Sequence, residues 1–203
     1  AGNWTWLTII VFSTDQIVTA TIKGPNASAT TGTVSWRLGA WSDTDGWPFT
    51  AVFHQQRLWF GGTNAYPQTL YASQVGNFDT FTPTAADGTV RDDDGLNYTI
   101  SDDQVNVVRH LISDAKGLII MTESGEFTAQ AASAFAPITP TNIGMMRHSV
   151  YGSARNVKPW RAGSAILINQ ASGRKIREFV FKFEQDQFTA PDMTLVSEHI
   201  LQS

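Results

Sequence analysis

The chain has 203 residues, no cysteine and a formal net charge of −4, which excludes a disulfide framework and a cysteine-ligated zinc site. It also leaves no overall basic field to grip a nucleic-acid backbone. Charged residues make up only 16% against the roughly 25% usual for globular chains, and 7 Trp, 12 Phe and 16 Gly accompany them, a balance that suits an all-β protein with broad packing surfaces.

The start, Ala1-Gly2-Asn3-Trp4, lacks Met and the basic, then apolar, run of a signal peptide, and reads as a processed or excised start. Two strands, Trp4–Phe12 and Gln16–Lys23, are expected around the turn Ser13-Thr14-Asp15. The second alternates Ile17, Thr19 and Thr21 against Val18, Ala20 and Ile22. The longest apolar run, Leu7–Phe12, falls far short of the roughly 18 residues of a membrane span, so no stable membrane insertion is expected. Residues 24–32 (GPNASATTG) read as a loop, and Thr33–Leu38 as a short strand.

Trp47–Phe81 is the best-marked unit. Trp47-Pro48 leads into an apolar strand, Ala51–Phe60. Parity along one continuous strand places Val52, Leu58 and Phe60 on one face, and Phe53, Gln55, Arg57 and Trp59 on the other. Gly61-Gly62 permits positive φ, Asn64–Pro67 completes a turn, and Thr69–Ser73 returns. Gly76-Asn77-Phe78 closes the unit, leaving Phe78 and Phe81 to pack on the strands. The residues expected to carry packing or interfaces are Trp47, Pro48, Phe53, Arg57, Leu58, Trp59, Phe60, Gly61, Gly62, Phe78 and Phe81, with Arg57 meeting an acidic or carbonyl partner at a blade edge.

Further along, Leu96–Ile100 reads as a strand and Val105–Leu111 as a strand or helical turn. Hairpins are expected at Leu118–Met121 with Phe127–Gln130, and at Ala165–Asn169 with Arg177–Phe183. Ala131–Pro140 reads as irregular. Met193–Leu201 reads as a helix, with Asp192 as N-cap and Glu198 and His199 anchoring it. Apolar hairpins thus recur near 52–73, 118–130 and 165–183, a spacing that four-stranded blades of about 40–45 residues would give. The expected fold is all-β with little helix, its antiparallel hairpins arranged as propeller-like blades, in a complete or incomplete set. A sandwich or barrel is the competing arrangement.

Motifs for chemistry are sparse. Asp43-Thr44-Asp45-Gly46, Asp92-Asp93-Asp94-Gly95 and Asp102-Asp103 lack the full spacing of a calcium loop, and read as solvated turns. Ser42–Trp47 approaches the Asp-box turn of sialidase-type propellers but carries Thr44 where that turn has Asp. His54, His110, His148 and His199 form no close pair of metal ligands, and His54 reads as a hydrogen-bonded structural residue. A nucleophile elbow and phosphate loops are lacking. The basic clusters Lys158–Arg161 and Arg174-Lys175-Arg177 read as salt-bridging faces. Trp41, Trp47 and Trp59 would suit a sugar-stacking platform, but core or interface packing is the simpler reading.

One resemblance gathers these pieces. WRLGAWSDTDGWP (36–48), FHQQRLWFGGT (53–63), PQTLYAS (67–73) and GNFDTF (76–81) resemble the tail tubular protein B, or nozzle, family of short-tailed bacteriophages. So do GLIIMTESGEF (117–127), SVYGS (149–153) and the run from Gly173 to Ile200. The resemblance implies residues 1–35 as the end of a preceding β-domain and 36–203 as part of a propeller-like platform domain. It further implies that the chain is a portion of a longer protein. The expected role is structural, in the virion tail: a homo-hexameric ring docked below an adaptor, with fibres outside and genomic DNA passing the lumen without sequence-specific binding. No catalytic residue, cofactor or metal comes with it. The rival readings are a carbohydrate-binding propeller recognising host glycans, and a glycoside hydrolase with two carboxylates flanking a cleft.

Overall fold

The structure, a computed structural model, describes residues 5–14, 17–23, 39–85, 87–133, 136–182 and 187–195. These residues form four antiparallel sheets and, among them, no helix. β1 (Leu7–Thr14) and β2 (Ile17–Ile22) make a two-stranded ribbon. Most of its apolar side chains are exposed, with Ile10, Phe12 and Ile17 each more than 60% accessible, while Val18 and Ala20 are half-buried.

The remaining strands form three four-stranded meanders, each running in chain order. The first blade holds β3 (Thr50–His54), β4 (Arg57–Gly61), β5 (Thr69–Ala72) and β6 (Leu96–Thr99). The second holds β7 (Val108–Asp114), β8 (Gly117–Thr122), β9 (Glu126–Ala131) and β10 (Ile143–Ser149). The third holds β11 (Trp160–Ala162), β12 (Ala165–Asn169), β13 (Ile176–Lys182) and β14 (Gln187–Thr189). Blades begin further apart than the 40–45 residues expected, because the connections at 73–95 and 150–159 are long.

The expected single strand Ala51–Phe60 is in fact a hairpin. Gln55 and Gln56 both lie at positive φ, 48° and 58°, in a two-residue turn between paired His54 and Arg57. Such turns normally use Asn or Gly, and each left-handed non-glycine costs roughly 1–2 kcal/mol. Two bonds offset that cost: the Gln55 side-chain oxygen accepts the Ile138 amide at 2.8 Å, and the Gln56 carbonyl accepts that of Gly76 at 2.9 Å. The turn also reverses parity. Val52 pairs with Trp59 and shares its face, while Phe53 shares the opposite face with Leu58, and Ala51 with Phe60. The face assignment from a continuous strand is corrected accordingly.

Stacking of the blades builds the core. Trp59, Leu70, Ala72 and Leu96 of the first blade meet Val108, Leu111, Leu118, Ile120, Phe127 and Ala129 of the second. On the other side, Ile112, Ile119 and Met121 meet Ile166, Ile168, Phe179, Phe181 and Phe188 of the third. β8 is therefore buried on both faces: Leu118 and Ile120 point one way, Ile119 and Met121 the other. Each of these side chains contributes about 2 kcal/mol of burial. Gly61 allows β4 to approach β7, since a Cβ there would meet Val108 at 2.6 Å.

The first strands of the blades also approach one another. β3 lies against β7, and Arg161 of β11 donates to the Ser113 carbonyl and the Asp114 carboxylate of β7, both at 2.8 Å. This is the relation of innermost strands about an axis. The expected strand Thr33–Leu38 lies outside the described residues, as do Val196–Leu201 of the expected helix, with Glu198 and His199. Residues 193–195 are not helical, and the Asp192 carboxylate accepts both the amide and the hydroxyl of Thr194, at 2.9 and 2.7 Å.

Candidate functional site: blade joints and an axial cleft

The residues singled out in Trp47–Phe81 divide into three settings. Arg57 and Trp59 are buried. The guanidinium of Arg57 donates to three backbone carbonyls, those of Ser73 (2.7 Å), Asp94 (2.6 Å) and Asp92 (2.6 Å). The Trp59 indole donates to the His54 carbonyl at 3.1 Å. Phe60 and Phe81 are half-buried and surround Trp41 with Tyr71, at centroid distances of 4.9 to 5.4 Å. Leu58 and Pro48 are half-buried, and Gly61 and Gly62 are buried, with Gly62 at φ +60°. Trp47, Phe53 and Phe78 are exposed: Trp47 donates to Asp43 at 3.1 Å, and Phe53 packs edge-on against Phe78 at 5.1 Å.

The polar side chains missed by that selection sit at the joints between blades, where partners are far apart in sequence. His54 of β3 shares a 2.9 Å hydrogen bond with Ser113 of β7. His110 of β7 donates to the Ala154 carbonyl at 3.1 Å, in the connection to the third blade. His148 of β10 shares a 2.8 Å bond with Thr128 and lies edge-on to Phe179 and Phe188 of the third blade. The same connection is stapled on both sides. Ser153 donates its amide to the Thr122 carbonyl, Ala154 to that of Asn169, and Ala171 to that of Gly152. Three members of the basic clusters are spent on neighbouring structure: Arg161 pairs with Asp114 at 2.8 Å, Lys175 pairs with Asp192 at 2.9 Å, and Arg177 stacks 3.4 Å from the Tyr151 ring. Arg147 binds Asp102 at 2.8 Å.

Burial holds all three of these histidines below the ordinary imidazole value, His54 despite the opposing charge of Asp114. For His110 the neighbouring Lys158 and Arg109 add to the effect of burial. The unfolded chain therefore takes up protons near pH 6.5 that the folded chain refuses, so stability is lost as pH falls from there towards the lowered folded values. Glu126, pushed up by burial, acts oppositely but is one group against three. The urea midpoint is expected to fall between pH 7 and pH 5, and less so in a His148→Gln variant. An unchanged midpoint across that range would sink this account of the joints.

A cleft of about 300 Å³ opens where Phe49–Ala51, His110–Ile112 and residues 155–159 converge beside the innermost strands. A smaller adjoining space includes Arg109. No carboxylate is among the residues lining either. A glycoside hydrolase would need two carboxylates flanking a cleft, which neither of these two spaces offers. The sugar-stacking alternative loses Trp59, which is fully buried, and Trp41, which is enclosed by aromatic neighbours. Among the described residues no group of three or more His, Asp or Glu is placed to hold a metal ion.

Three stacked antiparallel four-stranded blades define an all-β protein of the propeller-like class. The family model of the bacteriophage nozzle protein matches residues 50–202, well over half of the chain and the whole of the three blades, and the chain belongs to that family. It is a structural protein of the phage tail. No curated protein matches it.

Proposed function

We propose that the chain forms part of a nozzle subunit in a closed ring of identical copies, six by the family resemblance, through whose lumen the genome leaves the virion. The observation that carries this reading is the family match, which begins at the first residue of β3 and spans the blades. The outer face of the third blade fits a head-to-tail contact. Trp160, Leu167, Glu178 and Val180 share that face, and Trp160 is 74% exposed. A net charge of −4 suits a wall past which DNA must slide without sticking. In this reading the blades are the platform, residues 1–35 end a preceding β-domain, and an adaptor above and fibres outside are the partners. The role is architectural rather than catalytic.

Electron microscopy and mass photometry of the protein with its natural flanks, at moderate salt, test the proposal. Closed rings with a central pore are expected. A persistent monomer at micromolar concentration would overturn it.

A further inference from the structure

The axial cleft is cationic in a chain that is acidic as a whole. Arg155 and Lys158 line it, and neither has an ion-pair or hydrogen-bond partner among the described residues. Arg109 lies in the adjoining space with its guanidinium held by Glu123 at 2.7 Å. Unpaired cations on a turn are common, but Arg155 follows a backbone held in place by structure behind it. His110 grips the Ala154 carbonyl, and the Ser153 and Ala154 amides are bonded to the second and third blades, so Arg155 leaves a fixed backbone. Phe49, an exposed aromatic ring, lines both parts of the cleft.

We propose that this cleft binds a single nucleotide unit, with Arg155 and Lys158 taking the phosphate and Phe49 stacking on the base. A planar guanidinium and an ammonium supply more donors than one carboxylate can use, and suit the several oxygens of a phosphate. An aromatic face beside cations is the recurring arrangement for unpaired nucleotides, tolerant of sequence because every base has a flat face. A volume near 300 Å³ lies at the small end of ligand sites and has no room for a duplex. Such a site would hold a strand end or a free nucleotide without reading sequence. It does not depend on ring closure.

Calorimetric titration of the purified chain at low salt, with adenosine monophosphate, pyrophosphate and a hexaglutamate peptide as probes, tests this. Saturable one-to-one binding of the first two is expected, weakened about tenfold or more in an Arg155→Ala, Lys158→Ala double variant. Both residues are exposed, and an unchanged urea midpoint will confirm that the variant is folded. Phe49→Ala is expected to weaken adenosine monophosphate about tenfold and pyrophosphate hardly at all. The assignment falls if the wild type binds neither phosphate probe, or if the double variant binds as the wild type does. Hexaglutamate binding as tightly as pyrophosphate would overturn the phosphate assignment. Equal weakening of both phosphate probes by Phe49→Ala would overturn the stacking role. Because the measurement needs no ring, its failure would leave the nozzle reading standing, and a failure to form rings would leave the cleft standing.

Discussion

Replacing Arg57 with alanine is expected to lower the unfolding free energy by about 4 kcal/mol, from the loss of charge-assisted bonds and the stranding of buried carbonyls at about 1–3 kcal/mol each. The side chain is 1% exposed, and its three acceptors all belong to the excursion between β5 and β6. That excursion, residues 73–95, contains no regular strand among its described residues and is longer than most connections in compact domains. Arg57 is its harness, drawing the Ser73, Asp92 and Asp94 carbonyls onto the end of β4. Arg57→Lys keeps the charge but not the planar fork, and is expected to recover less than half of the loss. Guanidinium unfolding curves measure both. A change under about 1 kcal/mol in the alanine variant would show that water replaces the guanidinium without difficulty.

Gly152→Ala is expected to be nearly as damaging, at about 3 kcal/mol, from left-handed backbone strain and forced displacement together. Gly152 sits at φ +67°, and a Cβ there would lie 1.9 Å from the Glu123 carbonyl oxygen, which is backbone and cannot swing away. Relieving the clash pulls apart the connection that Ser153, Ala154 and Ala171 tie to the second and third blades. The outcome is therefore specific: the third blade loosens before the first. Limited proteolysis reads this directly, with cleavage expected within 160–189 ahead of 50–99. Equal susceptibility of both regions would contradict the assignment of residues 152–154 as a joint.

Much of the architecture was legible in the residues, but unevenly. The central strands β5, β8, β9, β12 and β13 announced themselves because strands buried between blades are apolar and bounded by turn residues. Edge strands such as β10 (IGMMRHS), β11 (WRA) and β14 (QFT) are short or mixed in polarity, and carried no such signal. The Gln55-Gln56 turn was hidden because its strain is relieved by partners 83 and 20 positions away in sequence, not by Asn or Gly within it. One missed turn of two residues then misassigned a whole face. The joint histidines were visible as residues but not as joints, since their partners, Ser113 for His54 and Ala154 for His110, lie 59 and 44 positions along the chain. The cleft escaped for the same reason: it is assembled from β3, β7 and the connection that precedes β11, and has no motif.

The doubly buried β8 has a consequence for how the molecule comes apart. A row of blades in which the first and third each pack on the second behaves as a short one-dimensional array, in which much of the energy resides in the couplings between units. Leu118–Met121 supply both couplings at once, two side chains to each. Either outer blade can detach while the middle one stays folded against the other, but the middle blade cannot melt without releasing both. Disorder should therefore enter from the ends and reach Leu118–Met121 last, making the least remarkable tetrapeptide in the chain its slowest to open.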